Sequence, residues 1–367
     1  MLEVNDLKKT KELEIFGELA RHNHEQVVFC NDNETGLKAI ISIHNTVLGP
    51  ALGGTRMWNY TSETEALNDV LRLARGMTYK AAISGLDLGG GKAVIIGDAD
   101  KLKNEALLRR FGKFVESLNG KYVTAEDVNM SPEDMEYISM ETKHVTGLSE
   151  SVGGGGDPSP VTAYGVYVGM KACAEKAYGS DSLDGKRVSV QGVGHVGMFL
   201  LEHLAKENVR MYVSDFHEKR AKDAALKFGA EVVGLDDIYD LDVDIYSPCA
   251  LGATINDDTI DRLKCKIIAG GANNQLDDEK IHGKMLMNRG IIYAPDFLIN
   301  AGGLINVGID YLGEWSKERV YIKTEQIYQT TIDIFNLSEK EGIDTQEAAM
   351  RMARKRIEEV SKVKSSI

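Results

Sequence analysis

The chain has few cysteines for its length. Four in 367 residues, at Cys30, Cys173, Cys249 and Cys265, show neither zinc-ligand spacing nor the density of a disulfide scaffold, so they read as buried thiols. No apolar run approaches the roughly 20 residues of a membrane span, and MLEVND at the start lacks the basic and apolar regions of a secretory signal. The expectation is a cytoplasmic protein with no membrane partner. A surplus of basic charge is also missing. With 43 Lys and Arg against 56 Asp and Glu, the formal charge is −13, which disfavours a nucleic-acid surface. The eight histidines form no metal constellation, no internal repeat or heptad array is visible, and the glycine runs lack the GxxxxGK[ST] pattern of a nucleotide-hydrolase phosphate loop. No metal is expected.

What is present is an alternation of strand-like and helix-like segments, with 43% hydrophobic residues, enough for two cores. The most diagnostic unit runs from a strand over residues 186–191 into GVGHVG at 192–197, then a helix over 198–206, then a strand over 209–213 that ends beside Asp215. In such a unit Gly192 permits the tight turn, Gly194 lets the backbone approach a pyrophosphate, and Gly197 lets the helix sit close to its strand. Val193, Val196 and His195 fill the positions between; His195 reads as tolerated there rather than catalytic. The helix N-terminus offers unpaired N–H groups to phosphates. Asp215 can accept both adenosine ribose hydroxyls and would repel a 2′-phosphate, which favours NAD over its phosphorylated relative.

Ahead of this unit the chain reads as a separate α/β region. Residues 1–20 have a helical pattern, residues 26–30 and 37–43 read as strands, and residues 49–58 read as a glycine-bearing loop able to approach a small ligand. Ser62 and Glu65 cap a helix with an apolar face at Ala66, Leu67, Val70, Leu71 and Ala74. Next, Lys80 and Lys92 stand twelve residues apart in a segment almost free of other charge, Lys92 after three glycines and before a strand at 93–96. A lysine shielded from water with a second cation nearby should lose its proton more readily and become a plausible base, while the other cation holds a carboxylate. The competing reading is two surface lysines beside a glycine-rich loop. A core helix at 104–118 and a strand at 121–124 lead to Glu126 and Asp127, carboxylates at a strand end, of which alternation turns only one inward. Residues 131–134 start another helix.

The glycine-rich stretch at 147–160 reads as a hinge, with a boundary near residue 148. Beyond Asp215 the pattern predicts helices at 221–228 and 257–263, strands at 231–233, 242–246, 266–269 and 291–293, and two closing helices from 318 and from 344. The fold class is therefore α/β, with two domains separated by a cleft, the second a doubly wound Rossmann-type parallel sheet. Its expected extent is 148–329. The first domain, 1–147, would bind substrate, completed by the C-terminal helices at 330–367.

Six short segments resemble one family: GPALGGTRM at 49–57, LARGMTYK at 73–80, LGGGK at 88–92, TAEDV at 124–128, DPSPVTAYG at 157–165 and NAGG at 300–303. Together they are similar to the amino-acid dehydrogenases of the glutamate, leucine, phenylalanine and valine group, over nearly the whole chain. The resemblance implies that Lys80, with the Gly53 and Gly54 backbone, binds the substrate α-carboxylate, that Lys92 is the catalytic base, and that Asp127 assists proton transfer. It places Asn274 near substrate, and it places Thr162, Cys249, Ala250 and Asn273 against the nicotinamide half of NAD. It implies a side-chain pocket of Leu52, Met77, Ala125, Leu304 and Val307, apolar and without a cation for a glutamate side chain. The implied reaction converts a branched-chain L-amino acid to a 2-oxo acid and ammonia. Leu304 and Asn129 depart from residues common on the leucine branch, which leaves valine, isoleucine and leucine together as expected substrates. A valine- or phenylalanine-preferring enzyme is the alternative, and a non-catalytic dinucleotide-binding protein the remote one. A homo-oligomer, octameric on the leucine branch, is also implied.

Overall fold

In the computed structural model, residues 15–364 are described. They pack as two compact units, one running up to Thr78 and resuming over Gly89–Val145, the other comprising Tyr79–Leu88 and everything from Thr146 onward. The first part of the helix expected at 1–20 lies outside the described residues; its remainder is α1, Ile15–His22.

The first unit is built on a five-stranded sheet of β1 (Gln26–Asp32), β2 (Leu37–Asn45), β3 (Ala51–Trp58), β4 (Gly89–Ile96) and β5 (Tyr122–Glu126), in the order β1-β2-β4-β3-β5. β1 and β4 run antiparallel to β2, whereas β3 is parallel to both β4 and β5. The expected loop at 49–58 is thus a strand inside the sheet. It escapes sequence recognition because Gly53 and Gly54 replace the β-branched residues that mark strands, and they do so for close packing: a Cβ on Gly53 would lie 1.8 Å from the Gly91 carbonyl oxygen. The three glycines before Lys92 are likewise strand, not loop.

The helix predicted from Ser62 is α2, Glu63–Ile83, and it continues through Gly76 to carry Lys80 in its last turn. Ser62 Oγ accepts from the Glu65 N–H at 3.1 Å, while Glu65 reaches back to Thr61 rather than to the cap residue itself. Its apolar face, Ala66, Leu67, Val70 and Leu71, is buried with Ile40 and Val94 of the sheet. Each such valine, leucine or isoleucine contributes about 1.5–3 kcal/mol by leaving water. The short α3 (Ala99–Leu102) precedes α4 (Glu105–Glu116), whose Leu107, Leu108, Phe111 and Val115 are buried as predicted, and α5 (Pro132–Ser139) begins with a complete capping box of Ser131 and Asp134.

The second unit opens with α6 (Ser159–Tyr178) and then alternates β6 (Arg187–Gln191), α7 (His195–Leu204), β7 (Arg210–Ser214), α8 (Glu218–Phe228), β8 (Glu231–Val232), β9 (Ile245–Pro248) and β10 (Ile267–Ile268). α9 (Glu279–Asn288), β11 (Ile292–Tyr293), α10 (Asp296–Ile299), α11 (Gly302–Tyr311), α12 (Lys317–Glu341) and α13 (Thr345–Lys364) complete it. All six strands are parallel, in the order β11-β10-β9-β6-β7-β8. This is the doubly wound arrangement, and the strand order reverses between β6 and β9. The helix expected at 257–263 is instead a run of turns, held by Asn256 and Thr259 bonding to nearby backbone. Short polar side chains there compete with helical pairing. α12 and α13 also fall with this second unit rather than completing the first: α12 packs on α6, and α13 on α12 and α9. None of the described helices is long and apolar enough to cross a membrane.

Candidate functional site

In the first unit the parallel registers put Leu52 beside Gly90 and Gly54 beside Ala125, so Lys92 of β4 and Asp127, just past β5, flank β3 on one face. Gly54 stands between them. A Cβ there would come within 2.8 Å of the Asp127 Cβ and 2.6 Å of the Glu126 carbonyl oxygen, so only glycine leaves the lane in which the two side chains meet. Lys92 Nζ lies 2.9 Å from Asp127 Oδ2, and the lysine side chain is only 7% exposed. The reading of Lys92 as a surface lysine is thereby excluded. Of the two candidate carboxylates, Asp127 is the one that reaches the lysine.

A second cation joins them. Arg56, from β3, donates through Nε to the same Asp127 Oδ2 at 3.0 Å and through a terminal nitrogen to Asp69 at 3.0 Å. Tyr60 donates to that same Asp69 oxygen at 2.7 Å. Burial works to raise the Asp127 pKa, but the Lys92 and Arg56 charges outweigh it and hold the carboxyl below its ordinary range. Arg56 lies within the GPALGGTRM segment, which by itself assigns it no role. The available signal was a lone charge in a strand otherwise free of it.

Above this face α2 approaches β4 at Gly90, where a Cβ would lie 2.0 Å from the Thr78 amide nitrogen. That contact fixes the turn of α2 carrying Met77. Leu52 and Ala125 are buried at 1% and 6% exposure, and Met77 is half-buried.

In the second unit the glycine turn follows β6 at the point of strand-order reversal. Gly192 has φ +97° and lies against Ala250 after β9, its Cβ position 2.8 Å from the Ala250 nitrogen. Gly197 is closer still: a Cβ would sit 2.1 Å from the Gly192 carbonyl oxygen. Around Gly194, by contrast, nothing lies within 4 Å of the corresponding position, and α7 begins there with no side-chain cap on its N-terminal amides. An open methyl-sized space before an uncapped helix start fits a pyrophosphate, so these residues fit a dinucleotide. Asp215 is held by the glycine turn and by its own loop, with Oδ2 accepting from the Val193 N–H at 2.9 Å and Oδ1 from the His217 N–H at 2.8 Å. Val196 is half-buried on the first turn of α7, its Cγ1 facing Gly271. The His195 side chain is 83% exposed, with Nδ1 3.6 Å from Asp157.

Cys249 follows β9, half-buried, with Sγ accepting from the Gly271 N–H at 3.3 Å; burial pushes its thiol pKa up, so it is no thiolate nucleophile. Thr162 donates to the Pro158 carbonyl at 2.9 Å on the first turn of α6, the turn against which Gly302 and Gly303 pack. Lys80 Nζ is 3.5 Å from Asn273 Oδ1, which also accepts from Asn300 Nδ2 at 2.8 Å. Asn274, next in the chain, is also exposed and has φ +51°. Close by, Asp296 is buried and accepts from the Gln275 N–H at 2.7 Å. Burial, aided by Glu279 and opposed by the Gln275 amide and Lys80, raises its pKa to about 6. In the sequence it stands only as one residue of the polar segment at 294–303. Leu304 and Val307 are buried on α11, at 6% and 8% exposure.

A classical doubly wound sheet with a built dinucleotide turn, in a chain that also buries a lysine–aspartate pair, defines a dinucleotide-dependent oxidoreductase. Comparison with known proteins narrows this class. The family model for the Glu/Leu/Phe/Val dehydrogenase dimerisation domain matches residues 24–144, and that for Glutamate/Leucine/Phenylalanine/Valine dehydrogenase matches 153–216 and 205–364. A leucine dehydrogenase from Thermoactinomyces intermedius is 56% identical over 96% of both chains. A phenylalanine dehydrogenase from Lysinibacillus sphaericus is 49% identical, over 94% of this chain and 91% of its own. The crystal structure of L-tryptophan dehydrogenase from Nostoc punctiforme superposes with a TM-score of 0.83 at 46% identity, covering 94% of this chain and 99% of that one. The chain belongs to the glutamate/leucine/phenylalanine/valine dehydrogenase family and is an amino-acid dehydrogenase.

Proposed function

We propose that the protein catalyses the NAD-dependent, reversible oxidative deamination of L-leucine and other branched-chain L-amino acids. The observation that carries the reading is the Lys92–Asp127 pair, a buried lysine 2.9 Å from a partly exposed carboxylate. A bound nicotinamide dinucleotide would supply the hydride acceptor for oxidation at Cα of the amino acid. Lys80 holds the α-carboxylate. Once Cα has become an imine carbon, Lys92 removes a proton from the water that adds to it, and Asp127 takes part in returning that proton to the departing nitrogen. The carbinolamine then collapses to a 2-oxo acid and ammonia. Lys92 must be neutral to accept a proton, so oxidation speeds up toward alkaline pH.

In this reading Gly192 to Gly197 and Asp215 hold the adenosine and pyrophosphate, and Thr162, Cys249, Ala250 and Asn273 serve the nicotinamide half. NAD preference rests on the Asp215 carboxylate. The candidate side-chain residues Leu52, Met77, Ala125, Leu304 and Val307 are apolar, and none can pair with a glutamate carboxylate; Asn274 is a further candidate substrate contact. The identity to leucine dehydrogenases supports the aliphatic reading. The similarly long matches to tryptophan and phenylalanine dehydrogenases support the second reading, an aromatic substrate. The dimerisation-domain description of the first family model supports a homo-oligomer, and an octamer is part of the proposal.

Initial rates with leucine, isoleucine, valine, phenylalanine, tryptophan and glutamate, each with NAD and with NADP, test the proposal. The aliphatic substrates should exceed the aromatic ones in kcat/KM by at least about tenfold, the order of one or two methylenes of pocket fit. A higher value for an aromatic amino acid selects the second reading. A glutamate preference refutes the pocket.

A further inference from the structure

We propose that Arg56 is a positioning residue for proton transfer: by sharing Asp127 Oδ2 with Lys92 it fixes the carboxylate and sets the pH at which Lys92 becomes an active base. This rests on the reading of Lys92 as the base.

The geometry is specific. The two cations meet one oxygen, Lys92 Nζ at 2.9 Å and Arg56 Nε at 3.0 Å, so they are within about 6 Å of each other, those two contacts end to end. Both bonds fall on Oδ2, which leaves Oδ1 of a partly exposed carboxylate for a substrate group or water. Arg56 is itself held from behind by Asp69, which receives Tyr60 on one side and Arg72 on the other. The charged and titratable groups around the pair are therefore Arg56 and Tyr60 from β3 and the turn after it, Asp69 and Arg72 from α2, Lys92 from β4, and Glu126, Asp127 and Tyr122 from β5 and its end. A carboxylate facing only Lys92 would stabilise the ammonium form with its full charge. Shared with Arg56, its charge is divided between two cations, and loss of Arg56 leaves it to Lys92 alone. The planar guanidinium also supplies two fixed donor directions, one to each aspartate, which an ammonium cannot reproduce.

The test is the pH profile of leucine oxidation by the intact enzyme, for wild type, R56Q, R56K, D69N and K92A, with folding followed by circular dichroism and dinucleotide binding. In R56Q the midpoint of the rising limb of kcat should move up by about one pH unit, a figure already reduced for partial exposure. On the rising limb that is about a tenfold loss of kcat, recovered at higher pH, with KM for leucine there close to wild type. R56K keeps the charge and should restore most of the midpoint. D69N removes the competing anion and should move it the other way. A purely structural arginine would lower activity without moving the midpoint. The proposal is overturned by an R56Q midpoint equal to wild type, or by an R56K shift as large as that of R56Q. If R56Q fails to fold, D69N decides: a midpoint that falls supports the proposal and one that stays or rises overturns it. K92A separates the two levels. Wild-type turnover in K92A removes the base reading and this proposal with it, whereas an inactive K92A beside an unshifted R56Q removes only the role of Arg56.

Discussion

Three glycines in one turn should respond to the same substitution in different ways, because each meets different surroundings. Gly194→Ala puts a methyl group where nothing lies within 4 Å, at φ −71° and ψ −161°, a conformation alanine adopts freely. Folding should be unharmed, and the reduced freedom of the unfolded chain adds about 0.4–1 kcal/mol of stability. The same methyl occupies the space expected for pyrophosphate, so dinucleotide affinity should fall by about tenfold or more, ~1.4 kcal/mol. Gly197→Ala instead drives a methyl to 2.1 Å from the Gly192 carbonyl oxygen, a backbone atom that cannot swing aside. Helix propensity returns about 1 kcal/mol at that position, but overpacking of this kind costs about 1–3 kcal/mol or more and a clash with backbone falls at the top of that range. Gly192→Ala adds an unfavourable φ of +97° to contacts of 2.7–2.9 Å with Ala250, again about 2 kcal/mol or more. Each of these two variants should lower Tm by roughly 4–8 °C for a unit of this size. Differential scanning fluorimetry without ligand and calorimetric titration with NAD separate the two effects. Wild-type NAD affinity in Gly194→Ala, or an unchanged Tm in Gly197→Ala, would refute the assignment of roles within the turn.

Asp215→Ala removes the carboxylate that should repel a 2′-phosphate, so the ratio of kcat/KM for NAD to that for NADP should fall by about tenfold or more; an unchanged ratio assigns selectivity elsewhere. Asp296 predicts a pH-dependent stability. Burial first, with Glu279, raises its folded pKa from 3.8 to about 6, so between those values the folded chain binds more protons than the unfolded one. Stability from this group is therefore present at acid pH, declines as pH rises through that window by about 3 kcal/mol, and does not recover above it. Asp296→Asn keeps an oxygen to accept from the Gln275 amide and abolishes the titration. Denaturant unfolding across the window should show the variant gaining on wild type, and a difference independent of pH would show that Asp296 does not titrate there.

Local chemistry made much of the molecule legible in its residues. The helices α2 and α4 declare themselves by apolar spacing, α2 also by its Ser62 cap, and the dinucleotide turn by three glycines with an aspartate at the end of the next strand. Lys92 could be singled out because isolated charge among glycines is unusual. The failures have physical causes. β3 was read as a loop since its strand character comes from neighbours on both sides, not from its own glycines, and residues 257–263 carry helical spacing that Asn256 and Thr259 override by bonding to local backbone.

By itself, the sequence determined the class of each unit, the dinucleotide turn and the residue types that could move a proton, because propensity, periodicity and turn chemistry act over a few neighbouring residues. Tertiary packing alone sets which carboxylate pairs with Lys92, that Arg56 shares it, that Lys80 lies 3.5 Å from Asn273 and that Asp296 is buried. Those facts depend on desolvation and on contacts between residues as much as 193 positions apart. Charge placement at that range is a product of strand order and close glycine packing, and no local pattern encodes it.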